Sequence, residues 1–249
     1  ITEAAVPDGN GIIEIGPGFG VLTSALATRA RKVVSIEIDE KLLPILSETL
    51  AGFNNIEIIN GDILKTDVKS LIAEKFDNMN VSVAANLPYY ITTPIIMKLL
   101  EDRLPLKNIV IMVQKEVAER ICANEGSKEY GAVTLAVKYF CRPSVVCEVS
   151  RYSFTPPPNV DSAVLKLEVL SKPSVKVINE KLFFSVIKAS FAQRRKTLLN
   201  GLKNSGIADK DTIITAFSNV GIDEKARGET LSIEQFAQLS DALNNLRNK

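Results

Sequence analysis

Five short apolar runs constrain this chain more than any other feature: "GIIEIG" (11–16), "KVVSIEI" (32–38), "NIEIING" (55–61), "VSVAANL" (81–87) and "NIVIMVQ" (108–114). Each is strand-sized and rich in β-branched residues. Between them lie helical patterns, "VLTSALATRA", "EKLLPILSETL", a stretch at 68–74 and "TPIIMKLLEDR". Near-continuous apolar strands must be covered on both faces, and strand–helix alternation does this with a parallel, doubly wound sheet. "AVTLAVKYFCRPSVVCEVS" and "SAVLKLEVL" read as strands with no long helix between, which suits an antiparallel edge. After "SKPSVKV" the pattern changes. Residues 180–203, 209–219 and 230–247 read as helices, the last opening with a Ser232-x-x-Gln235 capping box. The expected fold class is α/β with a small all-helical C-terminal domain, divided near residue 175 into 1–175 and 176–249.

Composition narrows the chemistry. With 249 residues, 46% hydrophobic and 24% charged, the chain is an ordinary soluble globular protein. No transmembrane helix is expected, because no apolar stretch exceeds strand length. "ITEAAVPDGN" has no basic or apolar signal region, so no signal peptide is expected. It lacks an initiator Met and reads as the end of a helix whose beginning lies outside these residues. Three cysteines (Cys122, Cys141, Cys147) without a C-x-x-C pair fit a reducing cytoplasm. The absence of histidine excludes a Ser–His or Cys–His mechanism in this chain and argues against zinc; no metal is expected. Net charge is +1, so only local charge can speak of nucleic acid.

The first chemical pattern is Glu14-Ile-Gly16-Pro-Gly18-Phe-Gly20, which ends a strand and opens a helix. Glycines there let a ligand approach the backbone, and the helix start offers free N–H groups; alone, the spacing also suits a tight turn that binds nothing. Glu37 ends the second strand, where an acid commonly accepts hydrogen bonds from ribose hydroxyls; it could equally be a solvated acid at a strand end. Asp62 follows the third strand and is placed to meet an adenine amino group, or is a plain turn aspartate beside Gly61. All three at successive strand ends, along the edge where such sheets bind ligands, favour a nucleoside.

"NLPYY" (86–90) stands at the fourth strand end. Proline cannot supply a ladder N–H, so the strand should stop at Asn86, with Leu87, Pro88 and Tyr89 at its edge. Methyl transfer to an exocyclic adenine nitrogen needs such a group. The nitrogen lone pair is delocalised into the ring, and acceptors on both amine protons, Asn86 Oδ1 and the Leu87 carbonyl, favour a pyramidal nitrogen with its lone pair aimed at the methyl. Tyr89 would stack on the base. A sulfonium donor is already activated, so no histidine base is required. The plainer alternative is an Asn-x-Pro turn with a core tyrosine.

In this order and spacing, E-I-G-P-G-F-G, S-I-E-I-D, N-G-D-I-L and N-L-P-Y-Y resemble the S-adenosylmethionine (SAM)-dependent rRNA adenine dimethyltransferases. "YSFTPPPNVDSAVLKLE" (152–168) and "FAQRRKTLLNGL" (191–202) are similar to the KsgA (RsmA) family, its bacterial small-subunit branch, and the resemblance spans essentially the whole chain. It implies a Rossmann-like methyltransferase sheet and dimethylation of N6 on two adjacent adenosines near the 3′ end of 16S rRNA, in the small subunit or its precursor. By position it implies that Gly16 and Gly18 line the SAM loop, that Glu37 holds the ribose and Asp62 the adenine, and that Asn86 lies near the methionine and target amine. Ile38 and Ile63 would sandwich the cofactor's adenine, and Phe154 would stack on the target base opposite Tyr89. Family members normally carry a Gln-Asn-Phe-Leu segment about thirty residues before the glycine loop, closing over SAM. The loop here starts at Gly16, so an N-terminal segment is expected to be missing.

Charge placement suggests the partner surface. No acid occurs over 181–208, while Lys181, Lys188, Arg194, Arg195, Lys196 and Lys203 are basic. Leu182, Phe183, Val186, Ile187 and Phe191 form a helical apolar face, leaving Arg194, Arg195 and Lys196 at the helix end to meet rRNA phosphates or simply to complement the helix dipole. "QKEVAERICANEGSKEYG" (114–131) reads as a helix and a mobile loop near the substrate entrance, with Lys115, Arg120 and Lys128 as further RNA contacts. A cytoplasmic monomer with no membrane partner is expected. Three alternatives stay open: a large-subunit rRNA adenine dimethylase of the macrolide-resistance type, a non-catalytic nucleic-acid-binding assembly or transcription factor, and a nicotinamide dehydrogenase, which leaves "NLPYY" unexplained.

Overall fold

A computed structural model describes residues 1–6, 10–193 and 195–247. Its seven strands are β1 (Gly11–Ile15), β2 (Lys32–Glu37), β3 (Ile56–Asn60), β4 (Val81–Asn86), β5 (Leu106–Gln114), β6 (Cys141–Val149) and β7 (Ser162–Val169), joined in one sheet in the order β3-β2-β1-β4-β5-β7-β6. Strands β1 to β5 are parallel and β7 runs antiparallel to β5, as the pattern of apolar runs predicts. Helices α1 (Thr2–Ala5), α2 (Val21–Ala27), α3 (Leu43–Thr49), α4 (Val68–Lys75), α5 (Tyr89–Glu101) and α6 (Lys115–Cys122) alternate with the parallel strands or follow them.

The core shows why the strands read as continuous apolar runs. Ile12, Ile13, Val33, Val34, Val83, Ala84, Ile109, Val110 and Val113 are all fully buried. Gly11 is required by packing: a Cβ there would stand 2.3 Å from the Phe76 ring.

The chain divides into two compact units, one of Ile1–Ala118 and Arg142–Leu170, the other of Glu119–Cys141 and Ser171–Lys249. This differs from a single boundary near 175, because 119–141 groups with the C-terminal helices. The reason lies in α7 (Ala132–Phe140), where the sequence predicts a strand. Val133, Thr134 and Val137 favour strand locally, but tertiary packing overrides the preference. The Thr134 hydroxyl accepts from Gly131 N (3.1 Å) and donates to the Arg120 carbonyl (2.6 Å), fixing the helix start. Tyr139 then meets the rings of Phe140, Phe183 and Phe184 at 4.9–5.2 Å.

The second unit is otherwise helical: α8 (Glu180–Phe191), α9 (Leu198–Asn204), α10 (Lys210–Val220) and α11 (Ile233–Arg247). The helix expected over 180–203 is two, because Thr197 N-caps α9 by accepting from Asn200 N. The Ser232–Gln235 capping box forms as expected, with bonds of 3.0 and 3.3 Å. The loop after α6, expected to be mobile, is tied by Gly126 N to the Glu229 carbonyl (2.7 Å) and by Tyr130 Oη to the Leu231 carbonyl (3.0 Å). Among the described residues, no helix is long and apolar enough to cross a membrane.

Candidate active site at the carboxyl edge of the sheet

Register brings the sequence motifs to one level. Ile15 pairs with Ile36 on one side and with Ala85 on the other, and Glu37 pairs with Asn60. Gly16, Glu37, Asn60 and Asn86 therefore stand side by side at the sheet's carboxyl edge. Strand order reverses between β1 and β4, which opens a crevice at their carboxyl ends. The two loops there touch: Gly16 sits at φ +68° and a Cβ on it would come 2.9 Å from Leu87 Cδ2. Gly18 is also left-handed, at φ +58°, and a Cβ on it would face open space, so that side of the loop is open to a ligand.

Glu37 is 5% exposed and is held by the glycine loop itself. Its Oε2 accepts from Gly18 N (3.3 Å) and its Oε1 from Asp39 N (2.8 Å). Each carboxylate oxygen keeps a further acceptor site for a ligand hydroxyl. Asp62 Oδ1 caps a turn by accepting from Leu64 N (2.9 Å), and Lys65 stands 3.7 Å from Oδ2. The carboxylate remains partly exposed, so the turn role leaves Oδ2 open to solvent. Ile63 is buried, whereas Ile38 is 66% exposed.

Asn86 ends β4 with its amide exposed, and Leu87 turns inward. Pro88 caps α5, which begins at Tyr89, four residues before the helix that the pattern predicts. Tyr89 thus belongs to a helical first turn, and its hydroxyl hydrogen-bonds the buried Ser162 Oγ at 2.7 Å. Phe154, half-buried, follows the short turn Arg151–Ser153, whose start is pinned by Arg151 N donating to Asp161 Oδ1 (3.0 Å). Asp161 adjoins Ser162, so Tyr89 and the Phe154 loop are anchored at one point at the start of β7.

Residues 1–245 match the family model described as "Ribosomal RNA adenine dimethylase". The chain belongs to the ribosomal RNA adenine dimethylase family. Within it, the chain is 54% identical to the ribosomal RNA small subunit methyltransferase A of Anoxybacillus flavithermus, over 96% of this chain and 83% of that protein. The same enzyme of Bacillus mycoides is 52% identical, over 98% and 85%. Among solved structures, a dimethyladenosine transferase from Plasmodium falciparum matches with a TM-score of 0.82 and 31% identity, over 98% of this chain and 94% of that one. The 23S rRNA methyltransferase ErmE matches at 0.72 and 25%, over 97% and 94%.

Sequence reasoning did not assign three polar residues of this dimethylase family member: Glu14, Ser35 and Ser162. Glu14 lies beneath the glycine loop, 1% exposed, accepting from Ser35 Oγ at 2.7 Å. Burial raises its carboxyl pKa, with a smaller push from the Glu37 charge, against the lowering effect of Ser35 and Thr23. The signal was available, since an acid inside an apolar strand run demands a partner. The third, Ser162, carries no such signal, because its partner is 73 residues away.

The basic residues are more dispersed. Lys115 is paired with Glu148 at 2.7 Å in the sheet unit. In the helical unit Arg120 and Lys128 are exposed, Lys128 standing 3.7 Å from Glu129. Arg195 and Lys196 are exposed in the turn between α8 and α9, and Arg194 lies outside the described residues. Among the described residues no group of three or more Cys, Asp or Glu side chains could hold a metal ion.

Proposed function

We propose that the chain transfers methyl groups from SAM to N6 of two adjacent adenosines near the 3′ end of 16S rRNA, during maturation of the small subunit in the cytoplasm. The observation that carries this is the meeting of the Gly16 loop and Leu87 at the switch point, with Glu37 and Asp62 on one side and 86–89 on the other. Relatives named small subunit methyltransferase A, at 52–54% identity, favour the small-subunit substrate over the large-subunit alternative.

The residues present fit the cofactor. Gly18 offers an open, left-handed backbone, Glu37 two acceptor oxygens for ribose hydroxyls, and Asp62 a partly exposed acceptor for an amino group. Ile38 and Ile63 supply apolar faces for the adenine. When bound, SAM supplies a methyl on positively charged sulfur. The protein's own task is then to prepare the nucleophile. Asn86 Oδ1 and the Leu87 carbonyl accept from the target amine and draw its lone pair out of conjugation. Tyr89, steadied through Ser162, and Phe154 hold the base from its two faces. Exposed Arg195, Lys196, Arg120 and Lys128, with Lys115, contribute charge toward rRNA phosphates.

The test is a methylation assay on small subunits lacking these modifications, with products mapped by position. Dimethyladenosine at two adjacent positions near the 3′ end is the expected result; label elsewhere, or none, rejects the assignment.

A further inference from the structure

Among the described residues, Tyr90 (84%) and Tyr152 (77%) carry the most exposed aromatic rings. Single exposed apolar side chains are ordinary, but the positions of these two are not. Tyr90 adjoins Tyr89, and Tyr152 lies two residues before Phe154, so each flanks one of the two rings assigned to the target base. The anchoring runs through both: Tyr89 Oη meets Ser162 Oγ at 2.7 Å, and the neighbouring Asp161 accepts from Arg151 N at 3.0 Å.

Tyr152 is also partnered by a cation. The Arg151 guanidinium carbon stands 5.1 Å from the ring centroid. That guanidinium donates to the Asn159 carbonyl (3.1 Å) and to Tyr152 Oη (3.4 Å). Tyr152 N donates to Ser150 Oγ at 3.3 Å, which fixes the turn bearing the ring. An oriented aromatic face beside a fixed positive charge is the usual equipment for holding a single-stranded base and its phosphate.

We infer that Tyr90 and the Arg151–Tyr152 pair are stacking positions for the nucleotides flanking the target adenine in single-stranded RNA. This rests on the proposed function. Chemistry at N6 requires the target to leave its stack, which uncovers the faces of its neighbours. With two adjacent targets, the neighbour is itself an adenine that is unmodified in one round and dimethylated in another. Dimethylation removes both N6 donors, so recognition of that edge by hydrogen bonding fails once the first base is done. A stacking surface accepts both forms.

The test compares Tyr90→Leu and Tyr152→Leu with Tyr90→Phe and Tyr152→Phe in the whole chain. Substrates are undermethylated small subunits and a naked RNA fragment spanning the target adenines. Each Leu variant is expected to raise the KM for both substrates about 5- to 100-fold, and the Phe variants to stay within about twofold. SAM affinity by calorimetry should be unchanged throughout, which also reports folding. Leu variants with wild-type KM overturn the stacking role alone. Equal losses in Leu and Phe variants assign the effect to the hydroxyls and overturn it too. Loss on subunits but not on naked RNA assigns the rings to a ribosomal protein. Wild-type protein that methylates neither substrate at adjacent adenines overturns the proposed function, and this inference with it.

Discussion

The sheet unit and the helical unit use polar side chains in opposite ways. In the helical unit several polar residues cap helix starts. Asn179 Oδ1 accepts from Leu182 N (3.1 Å) and Asp209 Oδ1 from Thr212 N (3.0 Å), while Ser232 and Gln235 satisfy each other's backbone. Those bonds close helix ends that would otherwise leave donors unpaired. At the carboxyl edge of the sheet, by contrast, Asn86 is left exposed at a strand end, Glu37 is buried among backbone donors, and Gly18 opens onto empty space. Local stability does not require an exposed asparagine two residues before a proline or a buried carboxylate beside a glycine loop. The helical unit's caps are accounted for by its folding, whereas Asn86, Glu37 and Gly18 stand where the proposed ligand would bind.

The sharpest way to break that contrast is at Asn86. Asn86→Ala should lower turnover at saturating SAM by about 100-fold or more, since a preorganised partner of the reacting group is lost. Thermal stability should barely change. Near-normal turnover, or marked destabilisation, would return Asn86 to the ranks of turn residues. Glu37→Ala comes next. It removes a charged acceptor worth roughly 1.5–3 kcal/mol, so calorimetry should find SAM binding weakened about 10- to 100-fold in a folded protein.

Legibility followed the same division. Strand ends at Gly16, Glu37, Asp62 and Asn86 were readable because a buried parallel strand has one apolar signature and its carboxyl end one fate. The antiparallel β7 was readable from its apolar run and the lack of a long helix before it. The strand expected over 132–140 was not a strand, because Tyr139 and Phe140 answer to rings on α8 some forty residues away, not to their own β-branched neighbours. The break at Thr197 was hidden inside an unbroken helical pattern. Ser162 was silent because a serine at a strand start has no local signature. Long-range partners, more than local preferences, decided what the sequence concealed.

Two substitutions sharpen the comparison through stability alone. In the helical unit Gly201 packs so that a Cβ would lie 2.8 Å from the Ala189 carbonyl oxygen. Gly201→Ala should therefore cost about 1–3 kcal/mol in denaturant unfolding, with SAM affinity unaltered. A neutral or stabilising result would mean that α9 can shift freely. In the sheet unit, burial raises the Glu14 pKa above its ordinary 4.5, so the folded state keeps a proton that the unfolded chain releases. Stability from this group is accordingly greatest below about pH 4.5 and declines as pH rises toward the raised folded value. Glu14→Gln should flatten that part of the profile, measured by urea unfolding across pH 4–8. An unchanged slope would show that Glu14 is already ionised in the fold.

The smallest expected effect is the one that would blur the contrast most. Arg195 and Lys196 are one exception in the helical unit: exposed cations in the turn after α8, in a stretch without acids. If they only complement a helix dipole, they belong with the caps. If they meet phosphates, the helical unit also carries ligand-directed polar groups. Salt separates the two, because each phosphate contact releases counterions and adds about one to the log–log slope of affinity against salt. Replacing both residues with alanine should leave SAM binding intact, weaken association with undermethylated small subunits modestly, and flatten the slope by about two. Binding titrated at several salt concentrations for both proteins measures it directly. Parallel slopes would remove Arg195 and Lys196 from the phosphate surface and move the search to the exposed Arg120 and Lys128 of the same unit.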